Sequence, residues 1–164
     1  MEIYQIEKFR LGGIDCTFVQ DNYAQSVQNT LRGLHFQVKH PQAKILRCLQ
    51  GKVFDVAVDI RKNSDYFGKW VGVELSEDNK YQLFIPKGFA HGYYVMSETA
   101  EIIYKCSDIF HPKDEQGIRW DDPELGIEWP GIEPVLSERD INLPMLHSLN
   151  LNRDYYIEEE KSDK

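Results

Sequence analysis

Apolar and polar side chains alternate along most of the chain, and this period of two limits how it can fold. In the segment GKVFDVAVDIR, residues 51–61, the apolar residues Phe54, Val56, Val58 and Ile60 fall on one side. Successive side chains of a β-strand point to opposite faces of its sheet, so this pattern predicts a strand with one strongly apolar face. The chain is therefore expected to be built mainly from strands.

The same pattern recurs in short segments that turn residues separate. KWVGVELS (69–76), YQLFIP (81–86) and AEIIYKCSD (100–108) are further predicted strands. Helical potential is weak and confined to residues 137–147, where Pro144 limits it. Many short strands at regular spacing predict an all-β fold, a jelly-roll barrel or sandwich with a few short helices.

Length and charge narrow the possible functions. The 164 residues, with a net charge of −8, predict one domain over residues 1–150 and an acidic C-terminal tail over 151–164. An acidic chain argues against nucleic-acid binding, which needs a basic face. No apolar run is long enough to span a membrane and the first residues lack a signal-peptide pattern, so a cytoplasmic protein without membrane partners is expected.

The three cysteines, Cys16, Cys48 and Cys106, include no CxxC pair. An odd number without such spacing predicts reduced, mostly buried thiols rather than disulfides or a zinc site.

Two motifs contain candidate chemical groups. His35 lies in LRGLHFQ, and His91 ends the PxGxxH turn of IPKGFAHG, which is similar to the second motif of the cupin jelly rolls. Metal-dependent cupins also need an HxH pair followed by a glutamate, and the stretch around His35 offers HFQ instead. A metal-free cupin is therefore expected, in which His35 acts as an acid or base. Asp55 and Asp59 are interpreted as a solvated face or as structural hydrogen-bonding groups.

Long segments of the chain resemble the dTDP-4-dehydrorhamnose 3,5-epimerase family. They are LRGLHFQ, KILRCLQGKVFDVAVDIRKNSDYFGKWVGVELS, IPKGFAHG, EIIYKCSD and GIRWDDPELGIEWP, in the family's order and at compatible spacing from about Thr17 to Asp140. The resemblance implies a homodimer without a cofactor, acting on a dTDP-4-keto-6-deoxyhexose in dTDP-rhamnose or related deoxysugar biosynthesis. A ketone at C4 acidifies the protons on C3 and C5. Removing one proton gives an enolate, and its return from the opposite face inverts the carbon.

The resemblance also implies four catalytic roles. His35 corresponds to the base, and Asp140, in LSERD, to the carboxylate that orients its imidazole. Tyr104 corresponds to the acid. This role agrees with its chemistry, since a phenol with a pKa near 10 donates a proton far more readily than it abstracts one at neutral pH. Lys44 corresponds to the cation that stabilises the enolate.

Substrate-binding positions follow from the same resemblance, with Arg32 and, less directly, Arg47 expected near the diphosphate. The full expected set is Glu2, Gln20, Asp21, Asn22, Arg32, Arg47, His91, Glu115 and Arg139. Trp120 and Trp129 are interpreted as packing residues.

Two departures from the family pattern affect the expected activity. Family members usually have a DxRGxF segment before a glutamate that here corresponds to Glu2, and that segment reaches the partner subunit's site. A chain without it is expected to bind the nucleotide and its partner more weakly or differently. The family's tyrosine pair is replaced by Ile109 and Phe110. Loss of both hydroxyls could restrict inversion to C3 or to C5.

Three other functions stay open. A catalytically silent sugar-nucleotide binding protein would retain the fold, but it would not need a base, an acid and an enolate cation together. A metal-dependent cupin lacks its HxH pair, and a 3,4-ketoisomerase matches the quoted motifs less closely.

Overall fold

The computed structural model describes residues 1–151, and in this part of the chain nine strands form two antiparallel sheets, as the alternation predicts. The strands are β1 (Gln20–Val27), β2 (Leu31–Gln37), β3 (Lys44–Gln50), β4 (Lys52–Asp59), β5 (Trp70–Ser76), β6 (Gln82–Ile85), β7 (Phe89–Val95), β8 (Thr99–Cys106) and β9 (Glu115–Gly117). The helices are α1 (Ile6–Leu11), α2 (Glu138–Ile141) and a 3₁₀ turn at Leu146–Ser148.

The two sheets differ in the number and order of their strands. The four-stranded sheet has the order β1-β8-β3-β6, and the five-stranded sheet has the order β5-β4-β7-β2-β9. Consecutive strands often belong to different sheets, as in a jelly roll, so the chain crosses repeatedly between the two layers.

No helix in residues 1–151 is long and apolar enough to cross a membrane.

Strand β4 lies inside the five-stranded sheet, and side chains on both of its faces are buried. Val56 and Val58 point away from the other sheet and pack with Leu34 and Phe36 in an outer core. The segment that follows β9, residues 118–151, is called the C-terminal segment here, and it covers this core and contributes Leu146 to it. The C-terminal segment therefore forms a third layer over the sheet. Burying each such aliphatic side chain stabilises the fold by about 1.5–3 kcal/mol.

The tryptophan of the C-terminal segment takes part in this packing. Trp129 contacts Phe54 edge-to-face at a centroid distance of 6.1 Å. Its indole N–H donates to the carbonyl of Trp120 at 2.8 Å. Trp129 therefore packs as expected, whereas Trp120 takes part in this contact through its backbone carbonyl.

A second core fills part of the space between the two sheets. Val53 and Ala57 of β4 face Leu46 and Ile102 of the opposite sheet. Cys48 is buried in the same core, and Cys106 is also buried. The remainder of this inter-sheet space is lined by both polar and apolar side chains and forms the site described below.

Strand β2 contains a bulge that changes which side chains face inward. Arg32 pairs with Tyr93 and His35 pairs with His91, so two residues of β2 oppose one residue of β7 between these pairs. An added Cβ on Gly33 would lie 2.4 Å from the Cα of Gly92, so no larger residue fits there.

The bulge changes what simple alternation predicts for these side chains. Strict alternation would put Arg32 and His35 on opposite faces of the sheet. In the structure both side chains line the space between the sheets.

Candidate active site

A cavity of about 600 Å³ lies between the inner faces of the two sheets. It is large enough for a sizeable part of a nucleotide sugar. Most of the residues that the sequence singles out line it, namely Gln20, Asn22, Arg32, His35, Lys44, His91, Tyr104, Glu115, Arg139 and Asp140.

His35 forms a tight pair with Asp140 at one wall of the cavity. The imidazole Nε2 lies 2.6 Å from Oδ1 of Asp140, and Nδ1 lies 4.0 Å from Oε1 of Glu115. Asp140 sits in helix α2, whose N-cap Ser137 accepts a hydrogen bond from the Asp140 backbone N–H. A carboxylate only accepts hydrogen bonds, so Nε2 carries the proton and Nδ1 has the free lone pair.

The environment of Asp140 favours its ionised form. Burial raises the pKa of this carboxyl. The hydrogen bond from His35 and the attraction of its imidazole when protonated, together with Ser137 and Arg139, outweigh burial and hold the pKa below its usual range. Asp140 is therefore a fixed negative charge beside the imidazole at neutral pH.

A second histidine–carboxylate pair lies deeper in the same sheet. Nε2 of His91 is 3.0 Å from Oδ1 and 3.1 Å from Oδ2 of Asp55, and both residues are buried. Burial lowers the pKa of His91, and the nearby Asp55 carboxylate opposes this decrease without cancelling it. His91 is therefore a neutral donor held in one orientation.

The partner of His91 is a residue whose role the sequence did not show. The interpretation of Asp55 and Asp59 as a solvated face is wrong, because both are buried, and the alternative of structural hydrogen bonds is confirmed. The Asp59 carboxylate accepts hydrogen bonds from Arg61 and Ser64 and does not line the cavity. A charged residue in the middle of an apolar strand is a signal that could have marked Asp55, but its partner depends on the register of β4 and β7.

Tyr104 and Lys44 come from the opposite wall. They lie on β8 and β3 of the four-stranded sheet, whereas His35 and His91 lie on the five-stranded sheet. Burial, reinforced by the neighbouring Cys106 and Tyr93, raises the pKa of Tyr104 to about 12, so its phenol stays protonated at neutral pH. Burial also lowers the pKa of Lys44, which Cys106, Glu115 and Asp55 partly counteract.

Polar contacts fix several of the expected binding residues at the rim. Gln20 donates to Asn22 at 2.9 Å and accepts from the backbone N–H of Phe110 at 2.8 Å. Arg139 pairs with Glu115. The Nε of Arg32 donates to the Ser26 hydroxyl at 3.2 Å, while the Arg32 side chain remains exposed.

Three of the expected binding residues do not line the cavity. Asp21 points outward from β1 and pairs with Lys105. Arg47 lies on the outer face of the four-stranded sheet, and Glu2 pairs with Lys8 near helix α1. Any contact that these three residues make with a substrate lies outside this cavity.

The cavity also contains residues outside the predicted catalytic and substrate-binding set. Tyr93, Cys106 and Gln42 line it, as does Phe110, which occupies one of the two positions where family members have tyrosines. Within residues 1–151, no three His, Cys, Asp or Glu side chains are grouped as a metal site requires.

Comparisons with known proteins agree with one another. The family model described as dTDP-4-dehydrorhamnose 3,5-epimerase matches residues 1–148. A protein of that name from Methanothermobacter thermautotrophicus is 49% identical over 146 residues, which cover 87% of this chain and 78% of the relative. The Shigella flexneri protein of the same name is 55% identical over 141 residues, covering 85% and 76%.

Solved structures show the same likeness in three dimensions. A dTDP-6-deoxy-D-glucose-3,5-epimerase from Legionella pneumophila, in complex with dTDP-4-keto-L-rhamnose, superposes with a TM-score of 0.88 at 48% identity, covering 91% of this chain and 80% of that one. A 3'-monoepimerase from Streptomyces bikiniensis, in complex with dTDP-quinovose, gives 0.83 at 36%, covering 89% and 75%. The predicted cupin-type jelly roll is confirmed.

Proposed function

The chain belongs to the dTDP-4-dehydrorhamnose 3,5-epimerase family, and we propose that it inverts C3 and C5 of dTDP-4-keto-6-deoxy-D-glucose. The reaction requires no cofactor and belongs to dTDP-rhamnose or related deoxysugar biosynthesis. The observation that carries this proposal is the placement of a base and an acid on opposite walls of one cavity, His35 on the five-stranded sheet and Tyr104 on the four-stranded sheet. A sugar ring between them presents one face to each group.

His35 abstracts the proton next to the ketone. Asp140 holds the Nε2–H of the imidazole at 2.6 Å and leaves the lone pair of Nδ1 available. When the imidazole becomes positively charged, the adjacent carboxylate stabilises it. A positioned base of this kind typically contributes about 10²–10⁴-fold to the rate.

Tyr104 returns a proton to the opposite face, which inverts the carbon. Its phenol stays protonated at neutral pH because burial raises its pKa to about 12. Lys44 lies on the same sheet, where its ammonium group stabilises the enolate oxygen that forms from the C4 ketone.

The charged residues at the rim bind the rest of the sugar nucleotide. Arg32 is exposed within the cavity wall and can reach a diphosphate, whereas Gln20 and Asn22 contact the ligand from β1. Glu115, Arg139 and His91 complete the binding surface. These roles rest on position in the cavity and on the resemblance.

A homodimer is part of the proposal, and the outer face of the four-stranded sheet supports it. The sheet register places Tyr23, Ile103, Arg47 and Gln82 in one row on this face. The Nε and Nη1 atoms of Arg47 are buried without a hydrogen-bond partner among the described residues, and the Tyr23 side chain is 59% exposed. A second copy would cover the exposed aromatic side chain and supply acceptors for the guanidinium.

The N-terminal segment lies at the same face. The carbonyl of Ile3 accepts from the Gln82 amide at 2.7 Å, and Lys105 lies 4.9 Å from the ring centroid of Tyr4. This position supports a role for Glu2 and Arg47 in contacts with a partner subunit rather than with the cavity of their own chain. We further propose a cytoplasmic protein with one epimerase domain over residues 1–150 and an acidic tail over 151–164, most of which lies outside the described residues.

A proton NMR time course in deuterated water tests the activity. The purified protein is mixed with dTDP-4-keto-6-deoxy-D-glucose, and the C3 and C5 proton signals are followed together with those of the product. Loss of both signals with formation of the doubly inverted sugar is expected. Substrate binding without exchange at either carbon would contradict the proposal and indicate a silent binding protein.

Inversion of a single carbon is the second candidate. Ile109 and Phe110 provide no hydroxyl, and Phe110 lines the cavity. The 3'-monoepimerase from Streptomyces bikiniensis shares this fold. In the same time course, loss of only the C3 or only the C5 signal would favour this candidate.

A further inference from the structure

The Tyr93 hydroxyl is a buried polar group that the reaction described above does not use. Tyr93 is 5% exposed, and its side chain lines the cavity. Its hydroxyl oxygen is shielded from solvent. The Ser26 hydroxyl and the Arg32 guanidinium lie close to it, but within residues 1–151 neither meets the distance and angle of a well-formed hydrogen bond with it. Buried polar groups are almost always hydrogen-bonded, because leaving one unpaired destabilises the folded state.

The neighbouring residue Tyr94 shows that the fold can satisfy a buried tyrosine. Tyr94 is also 5% exposed, but it points to the other side of β7 and its hydroxyl donates to Oδ1 of Asn29 at 2.6 Å. The two tyrosines thus share a strand and a degree of burial. They differ in whether the hydroxyl has a partner within the protein.

The surroundings of the Tyr93 hydroxyl are those of a ligand-binding wall. Tyr93 stands opposite Arg32 in the register of β7 and β2, and Ser26 accepts a hydrogen bond from Arg32. Burial raises the pKa of Tyr93, while the neighbouring Ser26 and Arg32 oppose that rise. The Arg32 side chain is exposed, so it can reach an anionic ligand that binds beside the Tyr93 phenol.

We propose that the Tyr93 hydroxyl donates a hydrogen bond to an oxygen of the bound sugar nucleotide next to Arg32. The acceptor belongs to the diphosphate or to the hexose. Within residues 1–151 the donor has no well-formed hydrogen bond, and ligand binding supplies its acceptor. Tyr93 is thereby a further substrate-binding residue, in an inference that rests on the proposed sugar-nucleotide ligand.

The test compares Tyr93→Phe with the matched control Tyr94→Phe. Dissociation constants are measured by calorimetry for dTDP and for dTDP-glucose, which lacks the ketone and cannot be deprotonated by the same route. Thermal unfolding of each ligand-free variant is measured in parallel. Both substitutions remove one hydroxyl from the same strand, so they differ in the partner that is lost.

Tyr93→Phe is expected to raise the dissociation constant for dTDP-glucose about tenfold without lowering the unfolding temperature. An equal loss for dTDP places the acceptor on the diphosphate, and a loss confined to dTDP-glucose places it on the hexose. Tyr94→Phe is expected to lower the unfolding temperature and leave both dissociation constants unchanged.

Two results for Tyr93→Phe would overturn the inference: dissociation constants within twofold of wild type for both ligands, or a drop in unfolding temperature equal to that of Tyr94→Phe. A wild-type protein that binds neither ligand would also overturn it. Turnover of the 4-keto sugar by the wild type separates this failure from that of the epimerase proposal. Normal turnover with unchanged binding by Tyr93→Phe rejects the role of Tyr93 alone.

Discussion

The two histidine–carboxylate pairs of the cavity contain the same chemical groups in different surroundings. The side chain of His35 is 23% exposed and its partner Asp140 comes from helix α2, outside the sheets. The side chain of His91 is 8% exposed and its partner Asp55 is 1% exposed, and both residues belong to adjacent strands of one sheet. The His35 pair is more open to the cavity, whereas the His91 pair is almost fully buried although His91 also lines the cavity.

This difference assigns the two pairs different functions. A base must accept a proton and release it again, so it needs access to the substrate and a nearby charge that stabilises its protonated form. His35 meets both requirements. His91 has a lowered pKa because of its burial, so it resists protonation and acts as a fixed neutral donor.

The largest effect on stability is expected from removing the buried histidine. His91→Ala leaves the Asp55 carboxylate buried without its donor, which should lower the free energy of unfolding by about 3–5 kcal/mol. Urea denaturation measures this. His35→Ala, at the more exposed pair, serves as the control and should lower the free energy of unfolding clearly less. Equal decreases for the two variants would contradict the distinction between the pairs.

Neutralising the carboxylate of each pair should separate catalysis from stability. Asp140→Asn removes the charge that stabilises the protonated His35, so kcat should fall on the order of 10²-fold while the unfolding temperature changes little. Asp55→Asn should lower the unfolding temperature more than it lowers kcat. Steady-state kinetics and thermal unfolding are measured for both variants. A decrease in unfolding temperature confined to Asp140→Asn would contradict this prediction.

The pH dependence of stability should also distinguish the pairs. The pKa of His91 in the folded protein lies below the unfolded value of about 6.5, so the unfolded chain takes up a proton first as the pH falls. Stability should therefore decrease from about pH 7 toward pH 5. The pKa of Asp140 is lowered in the folded protein, so its ionised carboxylate stabilises the fold. This contribution is lost below about pH 4, as the carboxylate is protonated.

His91→Gln tests this assignment because glutamine keeps a donor for Asp55 and does not titrate. Its free energy of unfolding should change less between pH 7 and pH 5 than that of the wild type. Denaturation curves at a series of pH values measure the change, and an unaltered slope would show that another group is responsible.

Much of the fold could be predicted from alternation, because strands expose or bury side chains with a period of two. The strands around Phe54, Trp70, Leu83 and Tyr104 lie where the pattern predicts them. The weak helical potential over 137–147 also corresponds to real but short elements, α2 and the 3₁₀ turn.

The site was less accessible to residue-level reasoning. Asp140 is 105 residues from His35 in sequence, and the resemblance to the family, rather than any local pattern, related the two residues. The bulge in β2 puts Arg32 and His35 on one face, which alternation alone predicts wrongly. The pairing of Asp55 with His91 depends on strand register, which a single sequence does not specify.

The most direct test of the account is the rate at which solvent deuterium enters C3 and C5 of dTDP-4-keto-6-deoxy-D-glucose in the presence of His35→Asn. Asparagine is close to histidine in size but cannot serve as the base. We expect a loss of exchange of about 10²–10⁴-fold at both carbons relative to the wild type, with the variant still folded and still binding dTDP. Exchange at either carbon within tenfold of the wild-type rate would contradict the assignment of His35 as the base.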